Sequence, residues 1–147
     1  MKKVIVLFLV VFSFKAISEE SGLQHFSMSF EEIQSEGSIV YYSDSVSNIE
    51  SGSYLLVEGW EYISESKAYK YHCYVKVGNK IYTINSISHI QKEGKLKAVY
   101  KNDSMTLIIE TEYLKPIGYE SYQTKGTITL IMGNTDKIID VIGGVAV

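Results

Sequence analysis

From Gly37 onward the chain sorts its side chains with a period of two. In "AYKYHCYVKV", residues 68–77, Tyr69, Tyr71, Cys73, Val75 and Val77 fall on one face. Lys70, His72, Tyr74 and Lys76 fall on the other. Successive side chains of a strand point to opposite sides, so this alternation predicts a half-buried β-strand. Gly78-Asn79 then supplies a two-residue hairpin turn. Folding back there sets Val77 opposite Lys80, Val75 opposite Tyr82, Cys73 opposite Ile84 and His72 opposite Asn85. Residues directly across a ladder share a face, which places Cys73 among Tyr71, Val75, Tyr82 and Ile84.

The same rhythm recurs along the chain. "SIVYY" and "SYLLVEGWEYI" read as two strands, the second apolar on both faces. Gly59 in its middle predicts a bulge or bend. The strand from Lys80 runs to about Gln91, turns at Glu93-Gly94 and returns as "KLKAVYK". Asn102-Asp103 leads into "SMTLIIETEY", and "TITLIMG" and "KIIDVIG" form a last hairpin. Residues 114–126, which hold the single proline, read as a long irregular connection. "DSVSNIESGS" reads as a polar loop. Short turns force antiparallel neighbours, because parallel strands need long crossovers. The expected fold class is therefore all-β: about eight antiparallel strands in a meander, forming a small barrel or a sandwich.

Before Gly37 the pattern differs. Ser29 and Glu32 have capping-box spacing, Phe26, Phe30 and Ile33 share a helical face, and Gly37 can end a helix, so one short N-terminal helix is expected. Residues 1–18 have Lys2 and Lys3, an apolar run from Val4 to Phe14, and Ala16 and Ser18 in a small-x-small arrangement. This reads as a secretory signal peptide, since the run is about half the length that spans a bilayer. The expected organisation is a signal peptide over 1–18 and a single β domain over 19–147, located in the bacterial periplasm or outside the cell. No stable membrane insertion is expected after cleavage.

Charge narrows the partners. All fourteen basic residues are lysine. Without arginine the chain lacks the planar fork that captures phosphate bidentately, which argues against nucleic-acid recognition and phosphoryl transfer. Residues 19–65 carry ten acids and no lysine, whereas residues 66–147 carry eleven lysines against seven acids. Such segregation is what a solvated face gives, or a dipolar surface that steers a partner.

Cys73 is the single cysteine, so no intramolecular disulfide forms even in an oxidising compartment. His72 is adjacent but on the opposite face, and apolar neighbours raise a thiol's pKa, so a buried, inert thiol is expected rather than a nucleophile. His25, His72 and His89 are the candidate metal ligands. In an unbroken ladder His89 shares the His72 face but lies four residues along it, about 13 Å at strand spacing and too far for one zinc ion. No metal or cofactor is expected. Glu110 and Glu112 share one strand face, and Glu58 precedes Trp60. Two of these carboxylates in one cleft suit a hydrolase, whereas a solvated face pairs them with Lys95, Lys97 or Lys101. No serine, histidine and aspartate motif and no glycine-rich phosphate loop occurs.

Twelve tyrosines remain. Tyrosine combines large contact area with a polar tip and is enriched in binding surfaces. Tyr74, away from the Cys73 face, and Tyr119 and Tyr122, on the expected long loop, are the candidate partner-binding residues. The function expected from these features is a non-enzymatic exported binding module engaging a protein partner, in an inhibitor- or immunity-like role. A small-ligand carrier with an apolar barrel interior and a carboxylate-based hydrolase are the alternatives. A carrier needs a cavity of ~300 Å³ or more.

Overall fold

The computed structural model describes residues 22–118 and 121–146. The signal-peptide segment, Tyr119 and Glu120 lie outside them. Nine strands form: β1 Leu23–Gln24, β2 Ile39–Ser43, β3 Leu56–Ile63, β4 Ala68–Val77, β5 Lys80–Lys92, β6 Lys95–Lys101, β7 Thr106–Gly118, β8 Ser121–Met132 and β9 Thr135–Ala146. Strands β2 to β9 pair each with the next, all antiparallel. β9 pairs back onto β2 from Ile39↔Ala146 to Ser43↔Ile142. The meander thus closes as an eight-stranded barrel, the all-β outcome that removes every long edge. β1 lies outside the closure and pairs with the end of β4 at Leu23↔Val77.

The hairpin at Gly78-Asn79 has the register the turn dictates, with Val77↔Lys80, Cys73↔Ile84 and His72↔Asn85. Cys73 is fully buried inside the barrel with Val75 and Ile84, and Tyr71 and Tyr82 pack against that core. Leu107, Leu130, Met105 and Val75 fill the end of the barrel that carries the β4–β5, β6–β7 and β8–β9 turns. Each such aliphatic side chain contributes about 1.5–3 kcal/mol by leaving water.

A second, smaller core lies outside the barrel wall. Phe26 and Ile33 from the segment before β2 cover Ile39, Val57 and Tyr74 on the outer faces of β2, β3 and β4. This strap explains why β3 is apolar on both sides. Its backbone is held by reciprocal Phe26–Tyr54 bonds of 2.9 and 2.8 Å, and Glu36 donates to the Trp60 carbonyl at 2.8 Å. Only one turn of 3-10 helix forms in the strap, Phe30–Glu32, with the Glu32 carboxylate accepting the Ser29 N–H at 2.7 Å. The capping box is real, but Phe30 stays exposed and Ile33 is buried from extended backbone, so the turn does not propagate. The short α-helix, α1 Val46–Glu50, stands instead in "DSVSNIESGS", where Ser45 caps it by accepting the Asn48 N–H.

Three further expectations are corrected. β3 pairs with β4 without a register shift, so Gly59 marks no bulge. A Cβ there would stand 2.6 Å from the Gln34 carbonyl, and the glycine admits the strap's backbone. Residues 114–118 and 121–126 are strand rather than irregular connection, belonging to β7 and β8, which absorb register shifts around Leu114 and Ile117. Proline is accommodated at such an irregularity. Finally, β5 carries a bulge between Ser86 and Ser88 opposite β6.

Candidate functional site

The bulge in β5 decides which way His89 points. Tyr82 and Ile84 lie inside the barrel, so an unbroken strand would send His89 outward with His72. One extra residue at Ile87 reverses the parity. Ile87 is exposed, and His89 pairs with the interior-facing Ala98. His89 therefore leaves the His72 face and lies flat on Tyr71, with ring centroids 3.5 Å apart and planes 2° from parallel.

This places His89 against Glu58. β3 brings Glu58 inward between Leu56 and Trp60, and only 5% of its surface is exposed. One carboxyl oxygen faces His89 Nε2 at 3.3 Å. The other accepts the hydroxyl proton of Tyr100, the buried phenol on β6. Burial and then the charge of Glu58 push the phenols of Tyr71 and Tyr100 up from their ordinary value. The same two causes act on the Cys73 thiol, which stays a neutral, inert thiol rather than a nucleophile.

Above this group the barrel is hollow. A cavity of about 300 Å³ occupies the end opposite the filled apolar layer, lined among others by Val40, Trp60, Leu96 and Tyr113 together with Glu58, Tyr71 and His89. Thr124 also lines it, and its buried hydroxyl has no hydrogen-bond partner among the described residues. Aromatic rings continue to the rim: Tyr69 lies edge-on to Trp60 at 5.2 Å and tilted against Tyr62 at 5.4 Å. Tyr69 and Tyr62 are 59% and 43% exposed. A wider depression of about 920 Å³ on the outer wall is lined by Lys97, Glu110, Glu112, Lys125 and Asp140. It is an open trough in which Lys97 pairs with Glu110 and Lys125 with Glu112, so the interior cavity is the better candidate.

The sequence-derived site residues fare differently. Tyr74 is not an exposed contact: it is 6% exposed, and its hydroxyl accepts the Gln34 N–H at 3.0 Å beneath the strap. Alternation placed it correctly on the outer face, but the strap covers that face. Tyr119 lies outside the described residues. The backbone of Tyr122 pairs with Pro116 and Val145 within β8. Glu110 and Glu112 face solvent, with Lys97 at 2.8 Å and Lys125 at 3.4 Å, while Glu58 lies inside the wall. The three carboxylates do not share a cleft. The histidines also separate: His25 is on the surface 3.1 Å from Asp44, His72 is buried on the outer side, and His89 is interior. Among the described residues no group of three His, Cys, Asp or Glu side chains has metal-holding geometry.

The Glu58–Tyr100–His89 grouping was missed from sequence. The one available signal was Glu58 itself, an acid at an inward position of a strand apolar on both faces. Comparison of the chain with protein-family models, curated proteins and solved structures finds no match.

Proposed function

We propose that this protein is an exported, non-enzymatic binding protein that takes one small ligand into the open end of its barrel. The observation that carries the reading is the cavity of about 300 Å³ with a buried carboxyl group at its base. Barrels of eight strands are either filled by side chains or hold one small ligand. This one does both, filled at one end and hollow at the other. Its lining follows the usual logic of ligand sites, mostly apolar and aromatic wall with a few convergent polar groups. Burying a carboxyl costs stability unless polar partners surround it, and Tyr100 and His89 supply one to each oxygen of Glu58.

The test is a thermal-shift screen of small molecules against the mature domain. A ligand that binds only the folded state raises Tm by mass action. Compounds are expected to stabilise the parent and to lose that effect in Leu96→Trp, which fills the cavity. If no compound stabilises the parent in preference to Leu96→Trp, the reading fails.

A second reading is favoured by the exposed rings of Tyr62 and Tyr69. A protein partner docks on the rim, in the inhibitor-like manner expected from sequence, and Tyr119 and Tyr122 remain the candidates the sequence offered for the same contact. Pull-down with the mature domain, repeated with Tyr62 and Tyr69 and then Tyr119 and Tyr122 changed to Ala, tests it. Retention of a partner by both variants removes this reading.

A further inference from the structure

Resting on the ligand-binding reading, we propose that the ligand is a small organic cation, an amine on an apolar or aromatic body. Glu58 carries it. A carboxylate has about four acceptor positions, and the described residues engage one on each oxygen, through Tyr100 and His89. The rest are available to donors entering the cavity that Glu58 lines. Thr124 lines the same cavity, but its hydroxyl is turned into the wall, without a hydrogen-bond partner among the described residues.

The walls favour the same sign of charge. Trp60, Tyr71 and Tyr113 are among the lining residues, and aromatic rings attract cations most strongly where water is excluded. An anion would meet Glu58 with like charge at low dielectric, whereas an ammonium supplies donors for the acceptor positions that Tyr100 and His89 leave open. Lys95 also lines the cavity, but it stands exposed at the rim, where solvent and salt screen it.

The experiment uses three probes of matched shape: 2-phenylethylamine, 2-phenylethanol and 3-phenylpropionate. Trp60 is the single tryptophan and lines the cavity, so its emission reports occupancy, with calorimetry as a second measure. The amine is expected to bind at least tenfold more tightly than the alcohol, and the propionate more weakly still. Glu58→Gln keeps the side-chain shape and is expected to bring the amine-to-alcohol ratio to about one. Thr124→Val leaves the charge in place and is expected to preserve the order. Equal binding of the three probes, preference for the propionate, or an amine preference that survives Glu58→Gln overturns the cation assignment while leaving a ligand site. Should Glu58→Gln fail to fold, the ranking in the parent decides. If none of the probes binds at up to about 1 mM, a free energy near −4 kcal/mol, the cavity reading falls as well.

Discussion

Tyr71 and His89 stack face to face at 3.5 Å, although regular pairing would put them on opposite sides of the barrel wall. The contact exists because β5 carries one extra residue between Ser86 and Ser88. That residue turns a histidine from the outer surface into the wall of the cavity, next to Glu58.

His89 therefore differs from the surface histidine. Replacing His89 by Ala leaves one oxygen of buried Glu58 without its partner and is expected to cost about 1–3 kcal/mol. Replacing His25, whose Asp44 partner is exposed, is expected to cost less than about 1 kcal/mol. Urea unfolding of the two variants makes the comparison, and equal losses would refute the interior placement of His89.

Tyr100→Phe removes a buried hydrogen bond to a carboxyl group with almost no change of volume. The expected loss is about 1.5–3 kcal/mol, in the range for bonds to charged groups. A variant with unchanged denaturation midpoint would show that Glu58 does not depend on this phenol.

Alkali should destabilise the protein. Burial holds the Cys73 thiol well above its ordinary value of 9.0, and Tyr42 and Tyr100 well above 10.0. The folded chain then keeps protons that the unfolded chain releases. Their contribution is complete below about pH 9 and is lost as pH rises from the unfolded values through the folded ones. Tm is expected to fall from about pH 9 upward, with a later onset in Cys73→Val. A flat profile to pH 11 would contradict the burial of these groups.

Cys73→Asp places a charge inside the barrel and is expected to unfold the domain or cost several kcal/mol. In the unaltered protein the thiol is expected to react with a labelling reagent only on unfolding. Prompt labelling of native protein would show that the barrel opens there.

Gly37 lies against the ring that reports on the cavity. A Cβ at this position would stand 2.5 Å from the Trp60 ring. Gly37→Ala is expected to shift Trp60 emission and to cost about 1–3 kcal/mol through overpacking. An emission spectrum identical to the parent's would place Trp60 elsewhere.

The sequence by itself determined the meander, the register of the β4–β5 hairpin and the inward burial of Cys73. These are local consequences: alternation assigns faces, and a two-residue turn fixes which residues meet. It also offered Lys95, Lys97 and Lys101 as cross-strand partners for the carboxylates, and of these Lys97 meets Glu110 across one ladder. What surrounds a face was decided only by the tertiary structure. Tyr74 points outward as alternation requires, yet a strap distant in sequence covers it. Barrel closure needed the pairing of Ile39–Ser43 with Ile142–Ala146, about a hundred residues apart, which no local pattern encodes. The cavity depends on both closure and a single-residue bulge. Together they bring Glu58, His89 and Tyr100 from three strands to one point, a convergence that a two-residue rhythm cannot announce because the bulge breaks it.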